Sequence, residues 1–236
     1  MKTSVKMFHL EQTRHSETTS GGFFISSRHI MTSTQSVADE NRKWLLDNEE
    51  MKDLNNTMKV PIKYVRKIRI VWDNCTLEDK ENKDCINNAM KAKDAYIFDS
   101  LIKDWYINYS PMLIELKEDH DDVIFPCIYH EDKDYEIPNS ATRNIYGFTA
   151  ESGFSKMNYR STTYASYTSD NFHQTNGKIM GKAMERGGPL LVYDVESYGT
   201  TVIGIDSSTG HLDKAETTYS RDIRIFKDEL CGFGGI

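Results

Sequence analysis

Hydrolysis at neutral pH needs a group that attacks, a base that takes its proton and a partner that orients the base. With seven histidines in the chain, few places could assemble such a set. His29 stands beside Ile30 in an apolar run and reads as packing or surface rather than as a base. His120-Asp121-Asp122 sets an imidazole next to two carboxylates, but three consecutive polar residues are the composition of a turn. His130-Glu131-Asp132 offers metal-ligand types, yet adjacent loop residues do not converge on one ion. His173 with Asp170 would have to meet a serine to act. Cys75 and Cys85 could hold zinc only with a second Cys/His pair at ligand spacing, and none stands there. No metal and no cofactor is expected.

The elements that must position any site are strands. A chain of 236 residues can form one large all-β domain or two small ones. Its 13 Tyr and 10 Phe favour pleated, half-buried surfaces. The net charge of −7 argues against nucleic acid as a partner. No apolar run reaches the roughly 18 residues of a membrane span. Met1 to Ser20 is polar and lacks the apolar core of a signal peptide. Four cysteines and the sequons at Asn55, Asn74 and Asn108 nevertheless point to an oxidising, extracellular setting. Pro111 makes the third sequon a poor acceptor, so glycosylation is expected at Asn55 and Asn74. The expectation is a secreted monomer whose leader is missing from this sequence. A Cys75–Cys85 bond would close a charged loop and add roughly 2–3 kcal/mol on the chain-entropy account.

Two stretches carry the argument further. Met184-Glu185-Arg186-Gly187-Gly188-Pro189-Leu190 resembles the Gly-Asp-Ser-Gly-Gly-Pro-Leu segment of trypsin-like serine proteases. Ser20-Gly21-Gly22-Phe23-Phe24-Ile25-Ser26 through Ser36 resembles that family's hairpin leading to its catalytic His, matching at Gly21, Gly22, Ile25, Ser26 and Thr32. The two cysteines that flank the family's hairpin correspond to Ser20 and Ser36, a joint loss that a shared bond explains. Further blocks follow in family order. Tyr109 to Leu116 resembles the strand behind the triad acid, Val123 to Ile128 the exit from the first barrel, and Ile145 to Phe148 the entry to the second. Thr201 to Ile205 resembles the strand after the nucleophile loop, with Ser207 at a buttressing Ser. Tyr219 to Leu230 resembles the strand that runs into the C-terminal helix. The closing Glu229-Leu230-Cys231 and Gly235-Ile236 are similar to the tail of a divergent nematode branch of unknown function.

The resemblance implies an all-β, double Greek-key barrel with a C-terminal helix. It places an N-terminal arm or irregular first strand at 1–19 and the first barrel at about 20–128. A linker at about 129–143 and a second barrel with the helix at about 144–236 follow. It also implies a Cys127–Cys231 bond. Within it, residues 38–60 read as an insertion with a short helix, Val60 to Trp72 as strands, and Ile86 to Trp105 as a helical start with a strand finish. Lys156 to Ser169 reads as strands with polar faces.

At the three triad positions the resemblance places Gln35, Ser110 and Arg186. Gln35 has no proton-accepting nitrogen at neutral pH, Ser110 cannot carry charge against an imidazolium, and Arg186 is always protonated and does not attack. Met184 replaces a Gly beside the oxyanion hole, and Met180 at the base of the specificity pocket favours no basic side chain. Glu185 holds the position of the acidic residue that pairs with a new N-terminus, and it is expected to be met locally by Arg186 or another cation. The function expected is therefore a non-catalytic homologue that binds protein partners through cleft loops. The enzyme alternative is a hydrolase with a relocated triad.

Overall fold

Two adjacent rungs explain why the first half of the chain is apolar on both faces of its strands. In the computed structural model Phe24 pairs with Ile30, Ile30 with Ile114, and Ile114 with Ala95, and all four side chains join one buried cluster. One residue along, Phe23, Met31, Leu113 and Tyr96 pair in the same way and join a different cluster. Successive residues of a strand point to opposite faces, so one rung fills a barrel and the next faces outward onto a second layer. Each such large apolar side chain contributes roughly 1.5–3 kcal/mol on burial.

The structure describes residues 4–9, 19–52, 55–72, 87–101, 110–128, 137, 141–151, 154–168, 171–176, 186–194, 199–209 and 217–234. The first barrel uses β1 (Ser4–His9), β2 (Thr19–Phe24), β3 (His29–Ser33), β5 (Ile68–Trp72), β6 (Met90–Phe98) and β7 (Pro111–Leu116), with β4 (Thr57–Lys59) added at β6. Its spatial order β6-β5-β1-β2-β3-β7 closes by a β6–β7 pairing. The second barrel uses β9 (Thr142–Glu151), β10 (Phe154–Tyr167), β11 (Phe172–Asn176), β12 (Pro189–Asp194), β13 (Gly199–Thr209) and β14 (Thr217–Asp222). It runs β12-β9-β10-β11-β14-β13 and closes by β12–β13. Helix α1 (Ile62–Val65) is a single turn, and helix α2 (Lys227–Gly234) follows a 3-10 turn at Ile223–Phe226. Two closed six-stranded antiparallel barrels and a C-terminal helix are thus what the sequence predicts.

An apolar cluster fills much of the layer between the barrels. Phe23, Ile25, Met31, Phe98 and Leu113 meet Leu191, Val202 and Ile205 there, together with Ile223, Phe226 and Leu230 from the C-terminal segment. The second barrel has a smaller apolar cluster of Ile145, Leu190, Val192 and Ile203. It also buries Arg143, whose guanidinium lies 4.4 Å over the Tyr164 ring and donates to the Ala141 and Ile137 carbonyls. Burial lowers the Arg143 pKa.

Several expectations change. The segment expected as an arm or irregular strand supplies β1, which is held by ladders to both β2 and β5. Residues 38–52 form turns and two isolated bridges, and the single helical turn comes later, at Ile62. Trp44 from that region is buried and stacks on Tyr64 at 4.2 Å. The stretch expected to begin as a helix and finish as a strand keeps that order, with Asn87 helical and β6 running from Met90 to Phe98. A register shift against β7 falls between Ala92 and Asp94. It separates the buried positions Met90 and Ala92 from Ala95 and Ile97, so a three-residue gap imitates helical spacing. The short strand β8 (Cys127–Ile128) pairs in parallel with β13 of the second barrel rather than with the first.

The Cys127–Cys231 bond is not formed, and both residues carry exposed thiols. They line one groove without bringing their sulfurs to the roughly 2 Å separation and narrow torsion that a bond demands. Cys75, Cys85 and Asn74 lie outside the described residues, as do His130, Asp170, Met180, Met184 and Glu185. Asn55 is described and exposed.

Candidate functional site

The site is built at the ends of strands from both barrels. β3 ends in a 3-10 turn at Thr34–Ser36 that buries Thr34, Gln35 and Ser36. The turn is fixed from two sides, by Ser36 Oγ donating to the Ser33 carbonyl and by the Thr34 N–H donating to the Ser110 carbonyl at 2.9 Å. Ser110 sits one residue before β7, fully buried, and its Oγ donates to the Asp99 carbonyl at 2.9 Å. The third member arrives on the turn that precedes β12. There the Arg186 carbonyl accepts from the Gly21 N–H at 2.9 Å, and the Gly187 N–H donates to the Asp206 carbonyl at 2.7 Å. The turn is therefore fastened to β2 of one barrel and β13 of the other.

Gly187 is required at its place. Its φ is +88°, and a Cβ would lie 2.3 Å from the Gly21 carbonyl oxygen and 2.8 Å from the Ser33 nitrogen. No L side chain fits that approach. The close approach lets Arg186 reach Gln35, and its Nη1 donates to Gln35 Oε1 at 3.0 Å.

Gln35, Ser110 and Arg186 thus converge, but not as a proton relay. Gln35 is joined to Arg186 through its amide oxygen, which is not a base at neutral pH. Ser110 meets this region through its carbonyl and the Thr34 amide, while its hydroxyl points to Asp99. A guanidinium hydrogen-bonded to a neutral amide can bind and orient; it has no step in which a proton changes hands.

Other imidazoles are placed as follows. His29 Nδ1 lies 2.8 Å from Ser26 Oγ, and His29 pairs across the sheet with Glu115. This contact belongs to the β2–β3 turn, at the far end of β3 from Gln35, roughly 20 Å away at about 3.3 Å per residue. Ser26 Oγ already accepts from the Arg28 and His29 N–H groups, so it donates its proton to the ring with its lone pairs occupied. Burial is the largest influence on His29 and lowers its pKa, which keeps the ring neutral. His120 is a turn residue whose ring meets Phe24 edge-on at 6.0 Å. Among the described residues no three His, Cys, Asp or Glu side chains are placed to hold a metal, and no helix is long and apolar enough to cross a membrane.

Two charge clusters escape a reading of the sequence. Arg221 pairs with Asp99 across the barrel interface, with its guanidinium 4.7 Å from the Phe172 ring and 5.9 Å from the Phe226 ring. Asp99 adopts φ 54°, a left-handed conformation that Asp tolerates. Burial raises the Asp99 pKa, and the Arg221 charge opposes that rise. Behind it, Asp222 is fully buried with its Oδ2 3.4 Å from His173 Nε2, 2.7 Å from Arg224 Nη2 and 2.9 Å from the Tyr167 hydroxyl. Burial alone would raise the Asp222 pKa, but His173 and Arg224 together outweigh it and hold the carboxyl well below the usual range. Tyr167 moves up, through burial and then the Asp222 charge. The Tyr-Ser-Arg-Asp block contains Arg221 and Asp222, but nothing in it says which acid or imidazole lies across the sheet.

No curated protein matches the chain. Residues 3–236 match the nematode trypsin-6-like family, so this chain belongs to that trypsin-like family over essentially its whole length.

Proposed function

We propose that the protein is a non-catalytic serine-protease homologue that binds other proteins through the loops rimming its cleft, as a decoy, regulator or adaptor. The observation that carries this reading is the 3.0 Å hydrogen bond from Arg186 Nη1 to Gln35 Oε1. On the family's pattern these two residues stand where the nucleophile and its base would be. The buried Ser110, with its hydroxyl given to the Asp99 carbonyl, stands where the orienting carboxylate would be. A site lacking all three members loses the covalent route, a deficit of about a million-fold in rate on such triads. Function here is argued from the cleft, since the scaffold hosts more than one activity.

The same reading makes the protein a secreted monomer, bridged at Cys75–Cys85 and carrying sugars at Asn55 and Asn74. A deglycosidase mass shift that Asn55→Gln and Asn74→Gln remove would support the last point. The test of the main claim is a fluorophosphonate probe on the purified protein. No serine is labelled on this reading. Labelling of any serine, such as Ser26 beside His29 or Ser220 across the ladder from His173, would establish the relocated hydrolase in its place.

A further inference from the structure

One rung of the first barrel carries cations on three adjacent strands. Arg69 of β5 pairs with Lys91 of β6, and the Lys117 N–H, one residue past β7, donates to the Lys91 carbonyl at 3.0 Å. Their chain neighbours Ile68, Ile70, Met90, Ala92 and Leu116 fill the barrel core, so the three charged side chains leave the barrel on its outer face. At the spacing of paired strands the row covers about 10 Å. Helix α1 extends it, because Arg69 Nη1 donates to the Arg66 carbonyl at 2.8 Å and so brings Arg66 and Lys67 alongside. Arg66, Lys91 and Lys117 are exposed, and Lys67 and Arg69 are half-buried. The next cations along the sheet are neutralised. Lys93 meets Glu115 at 2.7 Å, Lys59 meets Asp94 at 2.7 Å, and Arg28 meets Glu115 at 3.3 Å. Among the described residues no carboxylate lies within ion-pair distance of Arg66, Lys67, Arg69, Lys91 or Lys117. Burial lowers the Arg69 pKa, and no acid opposes that shift. Like charges directly opposite in a ladder are unfavourable. A row left so beside rungs that pair their charges points to an anion from outside the chain.

We propose that this row binds a linear sulfated polysaccharide of the glycosaminoglycan class. Here β5, β6 and β7 are each paired on both sides within the closed barrel, so no strand edge offers main-chain bonds to an extended peptide. The exposed aromatic side chains Phe125, Tyr167, Tyr193 and Phe233 lie on other elements, so no base-stacking platform accompanies the charges. Among the described residues the large apolar side chain exposed beside them is Ile62 of α1, which is not the aromatic anchor of a protein interface. What remains is recognition by spaced cations, and a chain of sulfates presents spaced oxyanions that Arg meets bidentately and Lys as point charges. Lys117 and Ser110 bracket the six residues of β7, which puts the row roughly 20 Å from the cleft. The proposal is therefore independent of what the cleft binds.

The experiment is calorimetric titration of the full chain with heparin, with desulfated heparin, poly-L-glutamate and oligothymidylate as comparison ligands. Heparin binds the wild type, and its affinity falls roughly a hundredfold between about 50 and 200 mM salt, as counterion release from about five neutralised charges requires. Arg66→Gln, Lys91→Gln and Lys117→Gln each weaken heparin by roughly two- to fivefold, the contribution of an exposed ion pair, and the triple variant by roughly tenfold or more. Lys59→Gln, whose ammonium is already met by Asp94, binds heparin like the wild type. Lys91→Gln leaves the melting temperature unchanged or raises it, since it relieves repulsion within the rung, so its weaker binding is not a loss of fold. Desulfated heparin binding as tightly as heparin overturns the proposal, as does an unchanged affinity in the triple variant or an equal loss in Lys59→Gln. Tighter binding of poly-L-glutamate or oligothymidylate than of heparin also overturns it, and assigns the row to an acidic peptide or to nucleic acid.

Discussion

Two glycines in this chain should respond oppositely to the same substitution, and the difference tests how the cleft is assembled. At Gly187 an alanine must hold φ near +88° and place its Cβ 2.3 Å from the Gly21 carbonyl oxygen, about an ångström inside contact distance. The left-handed conformation costs a non-glycine residue roughly 1–2 kcal/mol. Moving the backbone away strains two hydrogen bonds, Gly21 N–H to Arg186 and Gly187 N–H to Asp206, each contributing about 1 kcal/mol. Overpacking adds about 1–3 kcal/mol. The expected loss is therefore about 4 kcal/mol or more, a fall of very roughly 8–16 °C in Tm for a chain of this length. At Gly232, inside α2, a Cβ meets nothing within 4 Å. Alanine there should stabilise by about 0.5–1 kcal/mol through helix propensity. Urea titrations of the wild type, Gly187→Ala and Gly232→Ala give the three values on one scale. A Gly187→Ala protein within 1 kcal/mol of wild type would show that the Arg186–Gly188 turn does not sit against β2 and β3, and the convergence of Gln35 with Arg186 would fall with it.

Asp222→Asn should cost about 3 kcal/mol near pH 7, because it leaves the Arg224 and His173 side of a buried cluster without its charge partner. Since the folded carboxyl titrates below its unfolded value, this stability is present above about pH 4 and fades as pH falls further, so the two denaturation curves converge in acid. Arg221→Met leaves the half-buried Asp99 without its cation and should cost about 2–4 kcal/mol, less at acidic pH, where a carboxyl raised by burial takes up its proton easily; melts at pH 4 and pH 7 separate the two conditions. A double-mutant cycle on Gln35→Met and Arg186→Met should return a coupling of about 1.5–3 kcal/mol, the range for a hydrogen bond to a charged group, and additive losses would mean that the two side chains do not meet.

The parts of the fold that were legible are those in which side-chain period and backbone geometry agree. Phe23 to Ile25 and Ile30 to Met31 read as a hairpin, and they are one, because both rungs are apolar and both faces are buried. β6 was legible as the strand finish after a helical start, although its bulge at Ala92–Asp94 shifts the apolar positions out of period two. β1 was not legible as a barrel strand because its place comes from two flanking ladders, and pairing leaves no mark on residue type. At the site, Gln35, Ser110 and Arg186 could be named from the blocks around them. Their mutual contacts could not, since Ser110 turns its hydroxyl to Asp99 and only its carbonyl to Thr34. Asp99 with Arg221, and His173 with Asp222, lie 122 and 49 positions apart, and no local pattern reports contacts at that range.

The contacts that hold the cleft together also explain how, on the proposed reading, its shape can be kept without its chemistry. Gly21 to Arg186, Thr34 to Ser110 and Gly187 to Asp206 are all main-chain hydrogen bonds. Such bonds are indifferent to the side chains at Arg186 and Ser110, so the fold constrains where those residues stand and not what they are. Among the described residues of this turn, geometry dictates residue type at Gly187, and there the glycine is present. Two buried charge clusters lie elsewhere, at Asp99–Arg221 and around Asp222, and in both an opposite charge offsets the desolvation. On the proposed reading, a cleft positioned by backbone with Gln35 and Arg186 at its centre presents a surface to a partner without turning over, which is the property a binding protein on a peptidase scaffold requires.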